Sequence, residues 1–211
     1  MKQIFKLLRV KHYIKNLLIF IPLFFSQQIF HPQKLLFAFL GFISFCLISS
    51  SVYVINDIQD LGKDKLHPTK KFRPIASGTV KKPLAILLAV VCMIGSLGIN
   101  IYFQSLLGFG LVLFYLIINI AYSMGLKNQP IIDVAILASG FLIRVVYGAT
   151  LTEIVVSGWL YLTVISGAFF LGLGKRRNEL QRQGNIDSTR SEAQQSELQS
   201  RPVISYAVFC L

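Results

Sequence analysis

Long apolar runs separated by short polar breaks make up most of this chain. Runs at about 13–30, 35–56, 83–102, 105–122, 131–150 and 155–174 each approach the roughly 20 residues that an α-helix needs to cross a bilayer core. The pattern predicts an all-α fold, a polytopic transmembrane helix bundle with about six spans. The first run is the weakest, because Lys15 and Asn16 stand near its start. It begins like a signal peptide, but no small-residue cleavage site follows "LLIFIPLFF", so it reads as a retained first helix. Beyond Leu180 the chain turns to "QRQGNIDSTRSEAQQSELQSRP", polar and without an apolar face. That change predicts a membrane domain over 1–180 and a solvated tail over 181–211. The closing "PVISYAVFCL" is apolar but too short to span, like the start of a further helix.

Composition strengthens the membrane reading. Of 211 residues, 54% are hydrophobic and only 14% charged, with a mean hydropathy of +0.63. The net charge of +12 gives no nucleic-acid face, because the basic residues lie between and beside the apolar runs. Anionic lipid headgroups and a phosphorylated substrate are the partners that suit them. Of the 21 Lys and Arg, all but Lys34 and Arg144 fall in the N-terminus, the segment 57–82, the turn at Lys127 or the region from Lys175. By the positive-inside rule, the N-terminus and the Asp-rich loop of a multi-pass cell-membrane protein then face the cytoplasm. "MKQIFKLLRVKHYIKN" places Lys2, Lys6 and Arg9 on one helical face, as in a helix lying in an anionic interface. The alternative is that these charges only set topology. Cys46, Cys92 and Cys210 are far apart, with no metal-ligand spacing, and read as small apolar residues.

The stretch "NDIQDLGKDKLHPTKKFRPIASG", residues 56–78, interrupts this pattern with three aspartates and five lysines or arginines. On a helix, Asp57, Asp60 and Asp64 fall within an arc of roughly 60°. Carboxylates facing one point repel unless a cation intervenes, and oxygen-only donors favour Mg²⁺ bound jointly with substrate phosphates. The three are thus the candidate catalytic and metal-binding residues, the alternative being a solvated helix end whose acids balance nearby lysines. Pro68 and Pro74 hold the following chain extended, where Lys70 and Arg73 can grip phosphate oxygens. His67 is either a general base or a capping residue.

Further candidates lie nearby in topology. "AYSMGLKNQPIID" supplies Tyr122, Lys127 and Asp133 at the next cytoplasmic turn, and Arg144 lies three turns beyond Asp133, inside a span. A charge there costs about 2.5–3.5 kcal/mol on insertion scales, so it faces a polar cavity or a structural partner. Lys175 and Arg176 close the sixth run as a topology anchor or a lipid-phosphate site.

At these residues the sequence resembles the UbiA superfamily of membrane prenyltransferases, whose first motif is N-D-x-x-D-x-x-x-D followed by a basic segment. Asn56, Asp57, Asp60 and Asp64 match it. "LRVKHYIKNLLIFIPLFF", "YSMGLKNQPIIDVAILASGFLIRVVYGA" and "LGLGKRRNEL" are similar to the decaprenyl-phosphate phosphoribosyltransferase branch, and the likeness covers roughly residues 6–180. It implies a helical bundle around a lipid-open cavity, with Mg²⁺ on the aspartates. The implied reaction joins a polyprenyl phosphate to 5-phosphoribosyl 1-diphosphate and releases pyrophosphate. Lys15, Asn16, Asn56, Lys70, Arg73, Tyr122, Lys127, Asp133, Arg144, Lys175 and Arg176 form the implied substrate-binding set. Asp133 stands alone where prenyltransferases carry a second Asp-rich motif, which favours the phosphoribosyl branch. Against a nine-helix family fold, six runs imply a C-terminally truncated chain. A prenyltransferase acting on a prenyl diphosphate and a small acceptor, and a non-catalytic membrane protein, are the rival readings.

Overall fold

The computed structural model describes residues 2–124, 130–174 and 177, which are helical apart from short connections. Lys127, Lys175, Arg176 and the 181–211 tail lie outside the described residues. In order come α1 (Lys2–Leu7), a 3-10 segment (Val10–Phe20), α2 (Ile21–Phe25), α3 (Pro32–Gln59) and α4 (Leu61–Leu66). A 3-10 turn (Lys70–Phe72), α5 (Lys82–Tyr102), α6 (Leu106–Met124) and α7 (Pro130–Thr152) follow, then α8 (Gly158–Gly174). The chain divides into two units, Met1–Phe169 and Phe170–Leu211. Everything below concerns the first; of the second, Phe170–Gly174 is helical.

Four helices, α3, α5, α6 and α7, are long and apolar enough to cross a membrane, and α8 is a shorter apolar helix. Their ends fall within about three residues of the runs seen in the sequence. The run at 13–30 differs, because it is not one α-helix. Pro22 sits in the first turn of α2, and its missing N–H cannot extend a ladder from the preceding segment. Asn16, only 1% exposed, is drawn into the bundle, where it accepts a hydrogen bond from Arg144. A 3-10 turn rises about 2.0 Å per residue against 1.5 Å in an α-helix, so the segment and α2, laid end to end, still cover about 30 Å.

The bundle is polar at selected interior points and apolar outside. Leu87, Val91, Ile94 and Ile101 form an exposed stripe on α5, and Leu107, Phe114 and Ile117 are exposed on α6. In contact with lipid tails, such faces carry no penalty, and helices associate through close packing and hydrogen bonds. On the inner face of α5, Ala85, Ala89, Cys92 and Ser96 are all small and buried, and α5 packs along α3. Ser44 and Ser96 join the two helices at 2.9 Å. Asn100 donates to Ser44 at 2.7 Å and accepts from Tyr147 at 2.8 Å, which adds α7. A Cβ on Gly148 would lie 2.1 Å from the Ile19 carbonyl oxygen, so only glycine lets the 3-10 segment lie against α7.

Two apolar clusters hold the bundle together. Ile19, Phe45, Ile48, Val112, Tyr115 and Tyr147 belong to the cluster in mid-bundle. Leu7, Val54, Ile75, Val80, Ala85 and Ala89 form the other. The second cluster fastens α1 and the basic loop onto the end of α3.

Candidate active site at the Asp-rich helix end

The last turn of α3 carries Asp57, and α4 carries Asp64; both are 3% exposed. Carboxylates so deeply buried require paired charge, and two arginines supply it. Arg9 Nη2 donates to Asp57 Oδ1 at 2.6 Å. A single nitrogen, Arg73 Nη1, donates to Asp57 Oδ1 at 3.1 Å and to Asp64 Oδ2 at 2.7 Å. The basic loop reaches this point because His67 and Arg73, each followed by a proline, are extended. Between them the 3-10 turn reverses the chain. His67 Nδ1 accepts from the backbone N–H of Thr69 at 3.2 Å, so the ring caps the turn.

The helical arc expected for the three aspartates is interrupted. The α3 helix ends at Gln59, and Asp60, with φ −84° and ψ 3°, is the joint between α3 and α4. Its N–H still bonds the Asn56 carbonyl at 2.9 Å. Among the described residues no three acidic, His or Cys side chains are gathered as a ready cation cage. Asp57 and Asp64 do converge, and they converge on a guanidinium. Their separation is no more than two hydrogen bonds through Arg73, and every donor is a hard oxygen. That pair fits Mg²⁺, which commonly takes one or two carboxylates and completes its shell with water and phosphate.

The end of α6 completes the neighbourhood. Ser123 donates to Asn56 Oδ1 at 3.0 Å, and Tyr122 donates to Asp133 Oδ1 at 2.8 Å, tying α6 to α3 and α7. Asn56, Tyr122 and Asp133 thus share one end of the bundle with the aspartates. Lys70 is exposed on the loop, and Lys15 is exposed on the 3-10 segment.

Arg144 and Asn16 lie elsewhere, in mid-bundle. Arg144 is 6% exposed; its Nε donates to Asn16 Oδ1 at 2.7 Å, Nη1 to the Gly140 carbonyl and Nη2 to the Tyr115 hydroxyl at 3.2 Å. The guanidinium also stands 5.0 Å from the Phe45 ring centre and 5.2 Å from that of Tyr115. Asn16 in turn donates to Cys46 Sγ at 3.2 Å. Within the protein the two residues satisfy each other, and the sequence alternative of a structural partner for Arg144 is the one the geometry supplies.

Two residues at the Asp-rich end lie outside the Asp-rich motif. Ser123 precedes the turn at Lys127 and is a plain serine in an apolar helix. The sequence pattern groups Arg9 with Lys2 and Lys6 on one basic face of an interfacial helix. That helix instead stops at Leu7, and Arg9 adopts a left-handed backbone, φ 53° and ψ 44°, which turns its side chain inward. Lys6 stays exposed but donates to the Phe72 carbonyl at 3.0 Å.

Residues 17–189 match the UbiA prenyltransferase family. The decaprenyl-phosphate phosphoribosyltransferase of Mycolicibacterium smegmatis is 41% identical over 141 residues, 67% of this chain and 44% of that protein. Its counterpart in Corynebacterium glutamicum is 33% identical over 178 residues, 83% of this chain and 54% of that protein. The chain thus spans about half the length of the curated relatives it matches. A UbiA homolog from Archaeoglobus fulgidus, solved bound to GPP and Mg²⁺, superposes with a TM-score of 0.66 at 25% identity, covering 81% of this chain and 59% of that one.

Proposed function

From the premise that this chain belongs to the UbiA prenyltransferase family, we propose that it transfers 5-phosphoribose from phosphoribosyl diphosphate to a polyprenyl phosphate. The observation that carries this reading is the convergence of buried Asp57 and Asp64 with Arg9 and Arg73 at one end of the bundle, in a chain whose curated relatives bear that name. Mg²⁺ held by Asp57 and Asp64 would supply positive charge to the diphosphate. Asp60, at the joint, lies beside that pair in sequence and completes the motif.

The residues of the chain then do the rest. Arg73 and Lys70, on the loop, bind phosphate oxygens, with Lys127 as a further cation from the next turn. Tyr122, held by Asp133, and Asn56, held by Ser123, line the same end and orient the sugar phosphate. An oxygen of the lipid phosphate attacks the anomeric carbon as the bond to pyrophosphate breaks. The attacking group is already an anion, so no protein base is needed. Rate then comes from positioning the two phosphates and stabilising the departing charge. The apolar exterior lets the polyprenyl tail remain in the membrane while its phosphate reaches the cytoplasmic end.

The A. fulgidus homolog bound to GPP favours a second reading, a prenyl diphosphate as donor. A single acidic residue, Asp133, at the place of the second Asp-rich motif argues against it. One experiment separates them. Purified protein in detergent is given radiolabelled phosphoribosyl diphosphate and polyprenyl phosphates of several lengths, with and without Mg²⁺. A lipid-linked labelled phosphoribose that forms only with Mg²⁺ is expected. Its absence at every chain length, with product formed from a labelled prenyl diphosphate, would overturn the first reading.

A further inference from the structure

We propose that Arg9 is a phosphate-binding residue of the donor site, one that occupies Asp57 when no divalent cation is present and passes to the diphosphate when the cation takes Asp57. The inference rests on the proposed function and names a residue of that same site lying outside its Asp-rich motif.

Charge is the first argument. Asp57 and Asp64 carry two negative charges, and Arg9 and Arg73 carry two positive ones, so the cluster is neutral as it stands. A divalent cation on the two carboxylates replaces both guanidiniums in that balance. Two cationic side chains are then left beside a new metal, and a polyanionic diphosphate on that metal is the species that neutralises them. Arginine suits the exchange, because its planar fork pairs equally well with a carboxylate or a phosphate.

Placement is the second. The Arg9 guanidinium carbon lies 4.7 Å from the centre of the Tyr53 ring, a face that supports the cation in either pairing. The side chain is 22% exposed, so it is open to a ligand in a way that Arg144 is not. The segment just before it is anchored. Leu7 is fully buried in the cluster with Val54 and Ile75, Lys6 holds the Phe72 carbonyl, and Ser50 donates to the Leu8 carbonyl at 2.9 Å. Arg9 itself sits in the left-handed region, a conformation that costs a non-glycine residue energy and persists where surroundings impose it. The fold therefore aims Arg9 at Asp57 by its backbone, and a side-chain rotation is enough to move the fork from carboxylate to phosphate.

The test uses the full chain in detergent, with Mn²⁺ as the probe cation and inorganic pyrophosphate as the probe anion. Free Mn²⁺ is read by electron paramagnetic resonance, with no turnover involved, for the unaltered chain, Arg9→Gln and Arg9→Lys. Arg9→Gln should bind Mn²⁺ alone severalfold more tightly, because Asp57 loses a competing cation. It should bind pyrophosphate with Mn²⁺ about tenfold more weakly, and Arg9→Lys should recover part of that loss. A merely structural Arg9 predicts that both affinities fall together in both variants, and this result would overturn the inference. So would an unchanged pyrophosphate affinity in Arg9→Gln. Failure of the unaltered chain to bind Mn²⁺ with pyrophosphate would instead overturn the proposed function, and the role of Arg9 with it.

Discussion

Two arginine-centred nodes in this bundle solve the burial of a guanidinium in opposite ways. At the helix end, Arg9 and Arg73 face Asp57 and Asp64, with the arginines about one quarter exposed. In mid-bundle, Arg144 is nearly fully buried and meets an amide, a carbonyl, a phenol and two aromatic faces. Opposite charges can be exchanged for other charges, such as a metal ion and a phosphate, with the net balance kept. Neutral dipoles and ring faces have no such substitute, so the mid-bundle node is fixed once formed. The same side chain is exchangeable in one place and permanent in the other, and the partner decides which.

The largest expected effect lies at the exchangeable node. Asp57→Asn keeps the size of the side chain but removes a metal ligand and the charge that opposes two arginines. Turnover in the labelled-phosphoribose assay should fall by about a thousandfold, while helical content measured by circular dichroism is retained. Undiminished turnover would break the comparison at its functional end. Next comes Gly148→Ala, which tests the permanence of the other node. The new methyl would meet the Ile19 carbonyl at 2.1 Å, three residues from Asn16. Moving the 3-10 segment away should cost about 3 kcal/mol of stability, read from unfolding in detergent, and a smaller loss than 1 kcal/mol would show that the segment is loosely held.

Arg144→Leu sharpens the contrast further, because two effects oppose each other. Removing a buried charge relieves a desolvation cost of about 2.5–3.5 kcal/mol. The loss of three hydrogen bonds and two ring contacts leaves Asn16 Oδ1 short of a partner, worth about 1–3 kcal/mol, and gives up about 1–2 kcal/mol at each ring face. The second effect should win, with a net loss of about 2 kcal/mol by the same unfolding measurement. A gain in stability would mean that Arg144 is kept at a cost, and would move it to the functional side of the comparison.

The sequence made the charged node partly legible and the neutral node hardly at all. Spacing placed Asp57 and Asp64 together, and the prolines held Arg73 near them, because these residues lie within one loop. Hydropathy likewise marked α3, α5, α6 and α7, since a long apolar run in a membrane has few other options. Arg9 escaped because its approach to Asp57 depends on a left-handed backbone at a non-glycine residue, for which a single sequence has no signal. Asn16 and Arg144 stand 128 positions apart. Their meeting depends on Gly148 admitting the 3-10 segment against α7, a fact of tertiary packing. The apolar run at 13–30 departs from one helix for the same reason: Asn16 is visible near its start, but its capture by the core is a matter of tertiary packing.

The smallest effect is the most discriminating about what holds Arg144. Tyr115→Phe removes one hydroxyl and leaves the ring in place. That hydroxyl accepts from Arg144 at 3.2 Å, the long end of the usual range. The ring, by contrast, packs on Phe45 at 4.8 Å between centres and supports the guanidinium at 5.2 Å. If the π face carries most of the interaction, the substitution should cost only about 0.5 kcal/mol. A loss above 2 kcal/mol would show that the hydroxyl organises the node. A double-mutant cycle with Arg144→Leu then isolates the pair: a coupling of about 0.5 kcal/mol, no larger than the cost of the single substitution, is expected where two groups share one contact. A coupling of zero would mean that Asn16 and the Gly140 carbonyl hold Arg144 without the Tyr115 hydroxyl. The permanence of the node would then rest on α7, the 3-10 segment and the two ring faces.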